Sequence, residues 1–342
     1  MWRARLCRCW QRALSLLTAM LRLLTILIRT FLTTLWSRWR RGPRLPSWGF
    51  QFEWMVAFLR QDFAESAAWP YPRLRAELNG RRYPARFARQ VTTSQELLGG
   101  VPAVRFTPPD AASGTVLYLH GGSYIFGSLT TTHRELVAEL ALRSRRTVIG
   151  IDYRLAPEHP FPAALEDALA AFAALVESGI APSTLVVAGD SAGGNLALAL
   201  QLALRERGRE QARAAVLLSP WLDLAARRPS CRAADDLDYG QTPFLLQHAR
   251  DFAGGVPLED PRLSLIDADL AGLAPLFVLV GGAERLHDEG LELAERARQS
   301  GVQVESCVAH ELPHNPPALS ALHPEAARAF GVACEFVSKS LS

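Results

Sequence analysis

Short apolar runs alternate with amphipathic stretches from about residue 101 onward. The runs are rich in valine, isoleucine and leucine, and they predict strands at 103–107, 115–120, 147–153, 185–190, 214–220, 275–281 and 302–309. The stretches between them have apolar residues at helical spacing and predict helices at 134–144, 163–178, 195–205, 288–300 and 324–338. Strands that alternate with helices form a mostly parallel sheet covered on both faces, so the pattern predicts an α/β fold.

Residues 1–41 follow a different pattern. Positions 13–36 are mostly apolar, while polar side chains recur every three or four residues on one stripe of a helix, at Arg5, Arg8, Arg12, Ser15, Thr18, Arg22, Thr25, Arg29 and Thr33. A basic stripe beside a leucine-rich face is typical of a helix that lies in a membrane surface. Spanning the bilayer is marginal, because Arg22 and Arg29 would each cost roughly 2.5–3.5 kcal/mol near the helix centre.

Two alternatives stay open for this segment: a helix packed on the protein as part of a lid, and a targeting segment. A cleaved signal peptide is disfavoured, because arginines interrupt the apolar core and no A-x-A site follows. Glycine and prolines over 40–48 then predict a linker. A helix is expected at 50–65, and the Trp-Pro-Tyr-Pro sequence at 69–72 is expected to end it.

The composition is that of an ordinary globular protein, with 49% hydrophobic and 21% charged residues among 342. This length suits one large α/β domain with additions, or two small domains. The net charge of +3 is too small to favour a nucleic-acid partner. The charge is uneven, however, because the first 45 residues hold many arginines but no aspartate or glutamate. Such a basic end favours an anionic surface such as a membrane face.

The five cysteines are an odd number and lack the spacing of a disulfide framework. Cys7 and Cys9 have no second ligand pair nearby in the sequence, so no zinc site is expected. Reduced thiols are typical of a reducing compartment, and the cysteine usage therefore predicts an intracellular protein.

Residues 189–193 read Gly-Asp-Ser-Ala-Gly between a predicted strand and a predicted helix. A G-x-S-x-G sequence in this context is typical of a nucleophile elbow, where small residues allow a tight turn that exposes the serine oxygen. Ser191 is therefore the predicted nucleophile. The alternative is an ordinary glycine-rich turn with a buried serine.

A serine hydroxyl needs a base to accept its proton and an acid to orient that base. His314 follows the last predicted strand after a short loop and is the predicted base, with His310 at the strand end as its rival. Glu284 lies just past the preceding strand and is the predicted acid. Asp288 is the alternative acid, although a carboxylate near a helix start also interacts favourably with the helix dipole.

Residues 120–124, which follow an earlier strand, read His-Gly-Gly-Ser-Tyr. An oxyanion hole needs backbone N–H groups aimed at the developing negative oxygen, and glycines expose their amides without a Cβ in the way. The amides of Gly121 and Gly122, together with that of Ala192 after the nucleophile, are the predicted donors.

Three motifs, at 120–124, 152–162 and 189–194, together resemble those of the hormone-sensitive lipase-like family of α/β hydrolases. The resemblance covers roughly residues 100–338. It implies the α/β-hydrolase fold and a carboxylesterase that uses no cofactor or metal. It also implies a helical lid, formed by residues 42–100 and by an insertion at about 223–262, on a catalytic region over 101–342.

Two residues depart from the family pattern. Ser123 replaces the third glycine of the oxyanion loop, but its backbone amide remains. Glu284 occupies the position of the usual aspartate, and its carboxylate can still bind the histidine N–H. His120 belongs to the oxyanion-loop motif, and Asp190 of the elbow is expected to be structural.

The sequence thus predicts a serine carboxylesterase that acts through an acyl-enzyme on short to medium acyl or lipid-like esters. Amide, formamide or acetyl-ester deacylation by the same triad is an alternative, as is ligand binding without catalysis on the same fold. The expected partners are a small-molecule ester and, through residues 5–36, a membrane surface. Nucleic acid is not expected.

Overall fold

The computed structural model describes residues 2–81, 83–233 and 237–342, and in the N-terminal helix it describes side chains at residue 18 and from residue 20 onward. The described side chains do not include those of six residues named above, which are Arg5, Cys7, Arg8, Cys9, Arg12 and Ser15. The chain divides into two compact units, Met1–Ala68 and Trp69–Ser342. The domain boundaries expected after residues 41 and 100 stay predictions.

The first unit is a pair of antiparallel helices, α1 at Trp2–Arg41 and α2 at Phe50–Ser66. Gly42 ends α1, because its φ of 76° is the left-handed conformation that glycine adopts readily, and its amide donates to the Arg38 carbonyl. The helix predicted at 50–65 is confirmed. The apolar helix predicted near the N-terminus is longer in the structure than its apolar stretch.

The second unit is built on an eight-stranded sheet with the strand order β1-β2-β4-β3-β5-β6-β7-β8. The strands are β1 Thr92–Leu98, β2 Val101–Thr107, β3 Ala112–Leu119, β4 Arg146–Ile151, β5 Leu185–Asp190, β6 Ala214–Leu218, β7 Leu276–Gly281 and β8 Val304–Ala309. The β1–β2 and β2–β4 pairs are antiparallel, and the remaining pairs are parallel. The predicted α/β fold with a mostly parallel sheet is confirmed.

Eight α-helices are described in this unit. They are α3 Tyr71–Gly80, α4 Arg134–Ser144, α5 Ala163–Glu177, α6 Ala192–Glu206, α7 Pro229–Ala233, α8 Thr242–Ala253, α9 His287–Gln299 and α10 Pro324–Ser340. Short 3₁₀ helices lie at Pro182–Thr184, Leu265–Asp267 and Pro316–Leu319. Helix α4 packs on α10, and α5 packs on α6.

Strand β1 and helix α3 are not among the elements that the sequence predicted. Strand β1 is mostly polar and exposed, as suits an edge strand, so it lacks the apolar run that marked the others. Helix α3 begins at Tyr71, inside the Trp-Pro-Tyr-Pro sequence, which predicted only the end of the preceding helix. Pro72 lies in its first turn, where a missing backbone N–H costs no helical hydrogen bond.

The core of the second unit places the candidate site. Strands β5 and β6 are buried along their whole length, and α6 packs on both with alanine and leucine side chains. Strands β3, β5, β7 and β8 are parallel, so their carboxyl ends meet at one edge of the sheet. The loops after these four strands carry the predicted oxyanion residues, nucleophile, acid and base, as expected for an open α/β sheet.

Candidate active site

Ser191 sits in a sharp turn between β5 and α6, and its φ of 54° and ψ of −119° are unusual for a residue with a side chain. Two glycines make the turn possible. A Cβ on Gly189 would come within 2.2 Å of the Gly193 carbonyl oxygen, and one on Gly193 within 1.9 Å of the Leu119 carbonyl oxygen. Both positions of the G-x-S-x-G sequence therefore require glycine, because the backbone of the elbow passes so close to β3.

The strained Ser191 backbone is held by three hydrogen bonds. Its amide donates to the Leu218 carbonyl at 2.9 Å, and its own carbonyl accepts from the amides of Trp221 at 3.0 Å and Asn195 at 3.1 Å. Strain of this kind persists only where the surroundings fix it, and it is concentrated at functional sites. The serine is 8% exposed and precedes the N-terminus of α6, where the helix dipole favours negative charge.

His314 and Glu284 meet across the loops that follow β8 and β7. The His314 Nδ1 atom lies 3.2 Å from Glu284 Oε2, and the amide of Asn315 donates to the same oxygen at 3.3 Å. Glu284 is 1% exposed. A hydrogen bond at Nδ1 leaves Nε2 as the ring atom that can accept a proton from a nucleophile.

The charge around His314 makes its ring a better proton acceptor. Burial alone lowers the pKa of the imidazole, but the hydrogen bond and charge of Glu284, with the charges of Asp238 and Asp190, outweigh it and raise the pKa above its ordinary value. Opposite charges close to an imidazole stabilise its protonated form. The surroundings of His314 therefore favour the imidazolium that forms when a serine proton is taken up.

The alternatives for acid and base lie elsewhere. Asp288 is in the first turn of α9, and its Oδ2 atom accepts a hydrogen bond from the Ser230 amide at 2.8 Å, at the start of α7. His310 is exposed, and its backbone amide donates to Glu325 at 3.3 Å. The structure thus brings Glu284, and not Asp288, to the His314 ring.

The loop after β3 has three consecutive residues with positive φ: 117° at Gly122, 54° at Ser123 and 62° at Tyr124. A Cβ on Gly122 would lie 2.0 Å from the Phe126 carbonyl oxygen, so this position also requires glycine. The predicted use of Gly121 needs correction. Its amide donates to Asp190 Oδ1 at 2.9 Å, and an amide engaged by a buried carboxylate is not free to bind an oxyanion.

Three other amides of this region are free. Within the described part of the chain, the N–H groups of Gly122, Ser123 and Ala192 donate no hydrogen bond. Ser123 occupies the left-handed region that its family counterpart, a glycine, adopts without strain. Ser123 therefore has a backbone conformation that glycine also adopts. Its amide replaces that of Gly121 in the candidate oxyanion hole.

Asp190 connects the loops of the site. Its Oδ1 accepts from the Tyr118 hydroxyl at 2.6 Å and from the Gly121 amide, while Oδ2 accepts from Asn315 Nδ2 at 2.8 Å and lies 3.3 Å from His133 Nε2. Burial would raise the pKa of this carboxyl, but the charge and hydrogen bond of His133, with the bonds from Tyr118 and Gly121, lower it to about 2. The carboxylate is thus ionised and ties the elbow to both neighbouring loops.

The sequence predicts a structural role for Asp190 but does not reveal the residues that bind its carboxylate. They lie 57 to 125 positions away along the chain, so no spacing could reveal them. His120 is likewise part of the scaffold: its ring stacks on Tyr153 at 4.4 Å, and burial, with the charge of His133, lowers its pKa to about 3. The Tyr153 hydroxyl donates to the His120 carbonyl at 2.6 Å. A neutral His120 therefore supports the oxyanion loop.

The chain is similar in sequence to known hydrolases. Residues 116–317 match the family model for the alpha/beta hydrolase fold. An esterase of Acinetobacter venetianus is 35% identical over 243 residues, which are 70% of this chain and 80% of that protein. An acetyl-hydrolase of Streptomyces hygroscopicus is 42% identical over 192 residues, covering 56% of this chain and 64% of that protein.

Solved structures of esterases match the chain as well. One, an esterase from the bacterial hormone-sensitive lipase family, superposes with a TM-score of 0.76 at 35% identity and covers 84% of this chain and 98% of its own. Sequence identity at this level, with coverage of nearly the whole of that esterase, goes beyond a shared fold. The chain therefore belongs to the hormone-sensitive lipase-like family of α/β hydrolases, and it is an enzyme that hydrolyses carboxylic esters.

Proposed function

We propose that the enzyme hydrolyses its ester through an acyl-enzyme on Ser191, with His314 as general base and Glu284 as the acid that orients it. The observation that carries this proposal is the 3.2 Å contact between His314 Nδ1 and the buried Glu284 carboxylate. It fixes the ring so that Nε2 accepts the Ser191 proton as the serine oxygen bonds to the ester carbon.

The free amides of Gly122, Ser123 and Ala192 are the proposed oxyanion hole. They bind the carbonyl oxygen as it becomes negative in the tetrahedral intermediate, and each such donor typically contributes 10²–10³-fold to kcat. His314 then gives its proton to the leaving alcohol as the bond from carbon to the alcohol oxygen breaks. A water molecule, deprotonated by the same ring, attacks the acyl-enzyme and returns Ser191.

The test is Ser191→Ala, assayed with p-nitrophenyl acetate and butyrate. Loss of all turnover above the uncatalysed rate is expected, because the substitution removes the oxygen that is proposed to form the acyl-enzyme. Ser94→Ala, an exposed serine of the edge strand β1, is the matched control and should keep full activity. Turnover by the Ser191→Ala protein would overturn the proposal.

The proposed substrates are esters with short to medium acyl chains. Relatives named acetyl-hydrolase in Streptomyces hygroscopicus and ethyl acetate hydrolase in Pseudomonas putida support the short end of that range. The insertion at 223–262, which contains α7 and α8, is the proposed lid. Phe252 of α8 stacks face to face on Tyr124 of the oxyanion loop at 3.7 Å, which places an apolar wall beside the candidate site.

We also propose that α1 binds a membrane surface. Nine large apolar side chains of α1 are exposed, with exposures between 37% and 76%, and they are Met20, Leu21, Leu24, Ile28, Phe31, Leu32, Leu35, Trp36 and Trp39. By length and composition alone, Met20–Arg41 could cross a membrane. An exposed apolar surface of this extent marks an interaction site, and tryptophans are favoured at the membrane–water boundary.

The face of α1 that packs on α2 includes polar side chains with partners on α2. Arg22 contacts Asp62 at 2.6 Å, Arg38 contacts Glu53 at 2.5 Å, and the Trp54 indole N–H donates to Thr30 Oγ1 at 3.1 Å. The cost that Arg22 would carry in an apolar medium is therefore offset by its partner. Arg29 and Arg40 remain exposed beside the apolar face, where they can meet anionic headgroups.

An apolar face flanked by arginines on a helix pair suits a position in the headgroup layer better than a span. The test is flotation of the full chain with phosphatidylcholine vesicles that contain or lack about 30% phosphatidylglycerol. We expect binding that is stronger to the anionic vesicles and is lost in the variant Leu24→Ser, Ile28→Ser, Leu32→Ser. The matched control places serine at Leu97 and Leu322, two exposed leucines of the second unit. Equal flotation of all three proteins would contradict the proposal.

A further inference from the structure

Asp238 belongs to the insertion between β6 and β7 and is 1% exposed. Its carboxylate accepts hydrogen bonds from three backbone amides. The Oδ1 atom accepts from His314 at 3.1 Å and from Tyr239 at 2.8 Å, and Oδ2 accepts from Arg285 at 2.9 Å. One buried side chain of the insertion therefore contacts both the loop after β7 and the loop after β8.

Tyr239, the next residue, binds the same histidine from a second side. Its hydroxyl donates to the His314 carbonyl at 2.6 Å, and its ring meets the imidazole edge to face with centroids 6.0 Å apart. The backbone of His314 is thus bonded on its amide by Asp238 and on its carbonyl by Tyr239.

Arg285 holds the insertion from the opposite direction. Its guanidinium donates to the carbonyls of Gly240 and Cys231, each at 2.7 Å, and to Thr242 Oγ1 at 2.8 Å. Arg285 follows Glu284 directly, so these bonds fix the acid-bearing loop to the insertion. The acid and the base lie 30 positions apart on different loops, and the insertion bridges the two.

From these contacts we infer that Asp238 and Tyr239 are positioning residues, which hold Glu284 and His314 at hydrogen-bond distance from the insertion. The inference rests on the proposed triad. A shift of about 1 Å in a catalytic group can cost 10²-fold in rate. The contacts of Asp238 and Tyr239 with both loops, which we call the clasp, therefore matter for turnover. No substrate contact is required of either residue.

The clasp also carries charge. The ionisable groups that influence the His314 ring are Glu284 on the acid loop, Asp190 at the elbow and Asp238 in the insertion. Burial lowers the pKa of His314, while all three carboxylates raise it. Replacing Asp238 by its neutral isostere removes one of the three negative charges, so the pKa of His314 should fall and activity should extend to lower pH.

The experiment compares Asp238→Asn, Tyr239→Phe and Tyr71→Phe in the full chain. Tyr71→Phe is the matched control, since its hydroxyl bonds Asp251 of the same insertion without contacting either triad loop. We expect Tyr239→Phe to lower kcat by about fivefold to tenfold, the equivalent of one hydrogen bond, with KM unchanged. Asp238→Asn should lower kcat further, by about 10²-fold, and move the acid limb of kcat/KM to lower pH.

The readouts separate positioning from folding. A purely structural defect would lower the amount of folded enzyme but leave the acid limb and the KM of the folded fraction in place. Unchanged kcat in Tyr239→Phe together with an unmoved acid limb in Asp238→Asn would overturn the inference, even while Ser191→Ala is inactive. If Ser191→Ala retained turnover, the proposed triad would be wrong and the clasp would have no triad to position.

Discussion

The two units of this chain arrange apolar and polar residues in opposite ways. In the second unit, strands β5 and β6 are apolar and wholly buried. The polar residue of β5, Asp190, is at the end of the strand, beside the candidate site. In the helix pair, α1 turns Arg22, Thr30 and Arg38 toward α2 and leaves leucines and tryptophans exposed. A buried core and the proposed membrane-binding surface obey the same rule, which is that apolar groups avoid water.

Each unit has a buried carboxylate with side-chain partners, Asp190 in the second unit and Asp62 in the helix pair, and the pairing has different consequences. Asp190 in the second unit accepts from four groups, which fix the geometry of three loops. Asp62 in the helix pair neutralises an arginine that would otherwise oppose contact with an apolar medium. A buried ion pair is in general weak evidence of stability. In the helix pair, the Arg22–Asp62 contact neutralises a charge on the helix that carries the apolar exposed face.

The sharpest test of this contrast is one substitution placed in each unit. Leu217→Glu in β6 puts a charge where the leucine is 0% exposed, and Ile28→Glu in α1 puts the same charge at a site 53% exposed. We expect Leu217→Glu to prevent folding, because an unpaired buried charge costs an amount comparable to a total stability of about 5–15 kcal/mol. Ile28→Glu should keep esterase activity and lose vesicle binding. Expression, circular dichroism and flotation distinguish the outcomes.

The next largest effect concerns the buried acid. Glu284→Gln should lower kcat by about 10³–10⁴-fold, because a neutral amide neither fixes the His314 ring in the required tautomer nor stabilises its protonated form. Asp288→Asn is the matched control, since its carboxylate binds the Ser230 amide instead. A greater loss in Asp288→Asn would move the acid to that position and remove Glu284 from the triad.

A smaller effect is expected at Asp190 when the pH falls. Its pKa in the folded protein is about 2, below the ordinary value of 3.8, so its stabilisation is present above pH 4 and is lost as the pH falls toward 2. The shift corresponds to about 2 kcal/mol. Urea unfolding of the wild type and Asp190→Asn between pH 5 and pH 3 should give curves that converge as the pH falls. A constant difference between them would show that the ionised carboxylate is not the source of stability.

The smallest effect is expected in the helix pair. Arg22→Met removes the partner of Asp62, whose side chain is 4% exposed, and should destabilise the pair by about 1 kcal/mol. The double variant Arg22→Met with Asp62→Leu should restore that stability, because the buried charge is then removed together with its partner. Thermal unfolding of the two variants and the wild type measures the difference. If the double variant were less stable than Arg22→Met, the ion pair would not be a neutralising contact.

Much of the fold could be predicted because its signal is local. Each buried strand has its own apolar run, and the elbow at 189–193 has its own glycines, whose close contacts with β3 are what the motif encodes. Strand β1 was missed because an edge strand needs no such run. Helix α3 was missed because a proline that opens a helix and one that ends a helix look alike in sequence.

By itself the sequence determined the α/β class, Ser191 as the nucleophile to test, and the short set of residues from which acid and base had to come. The tertiary structure decided between them. It put Glu284 rather than Asp288 at His314, engaged the Gly121 amide with Asp190, and paired Arg22 of α1 with Asp62 of α2. These outcomes depend on contacts between residues tens of positions apart, and such contacts exist only after the sheet and helices have packed.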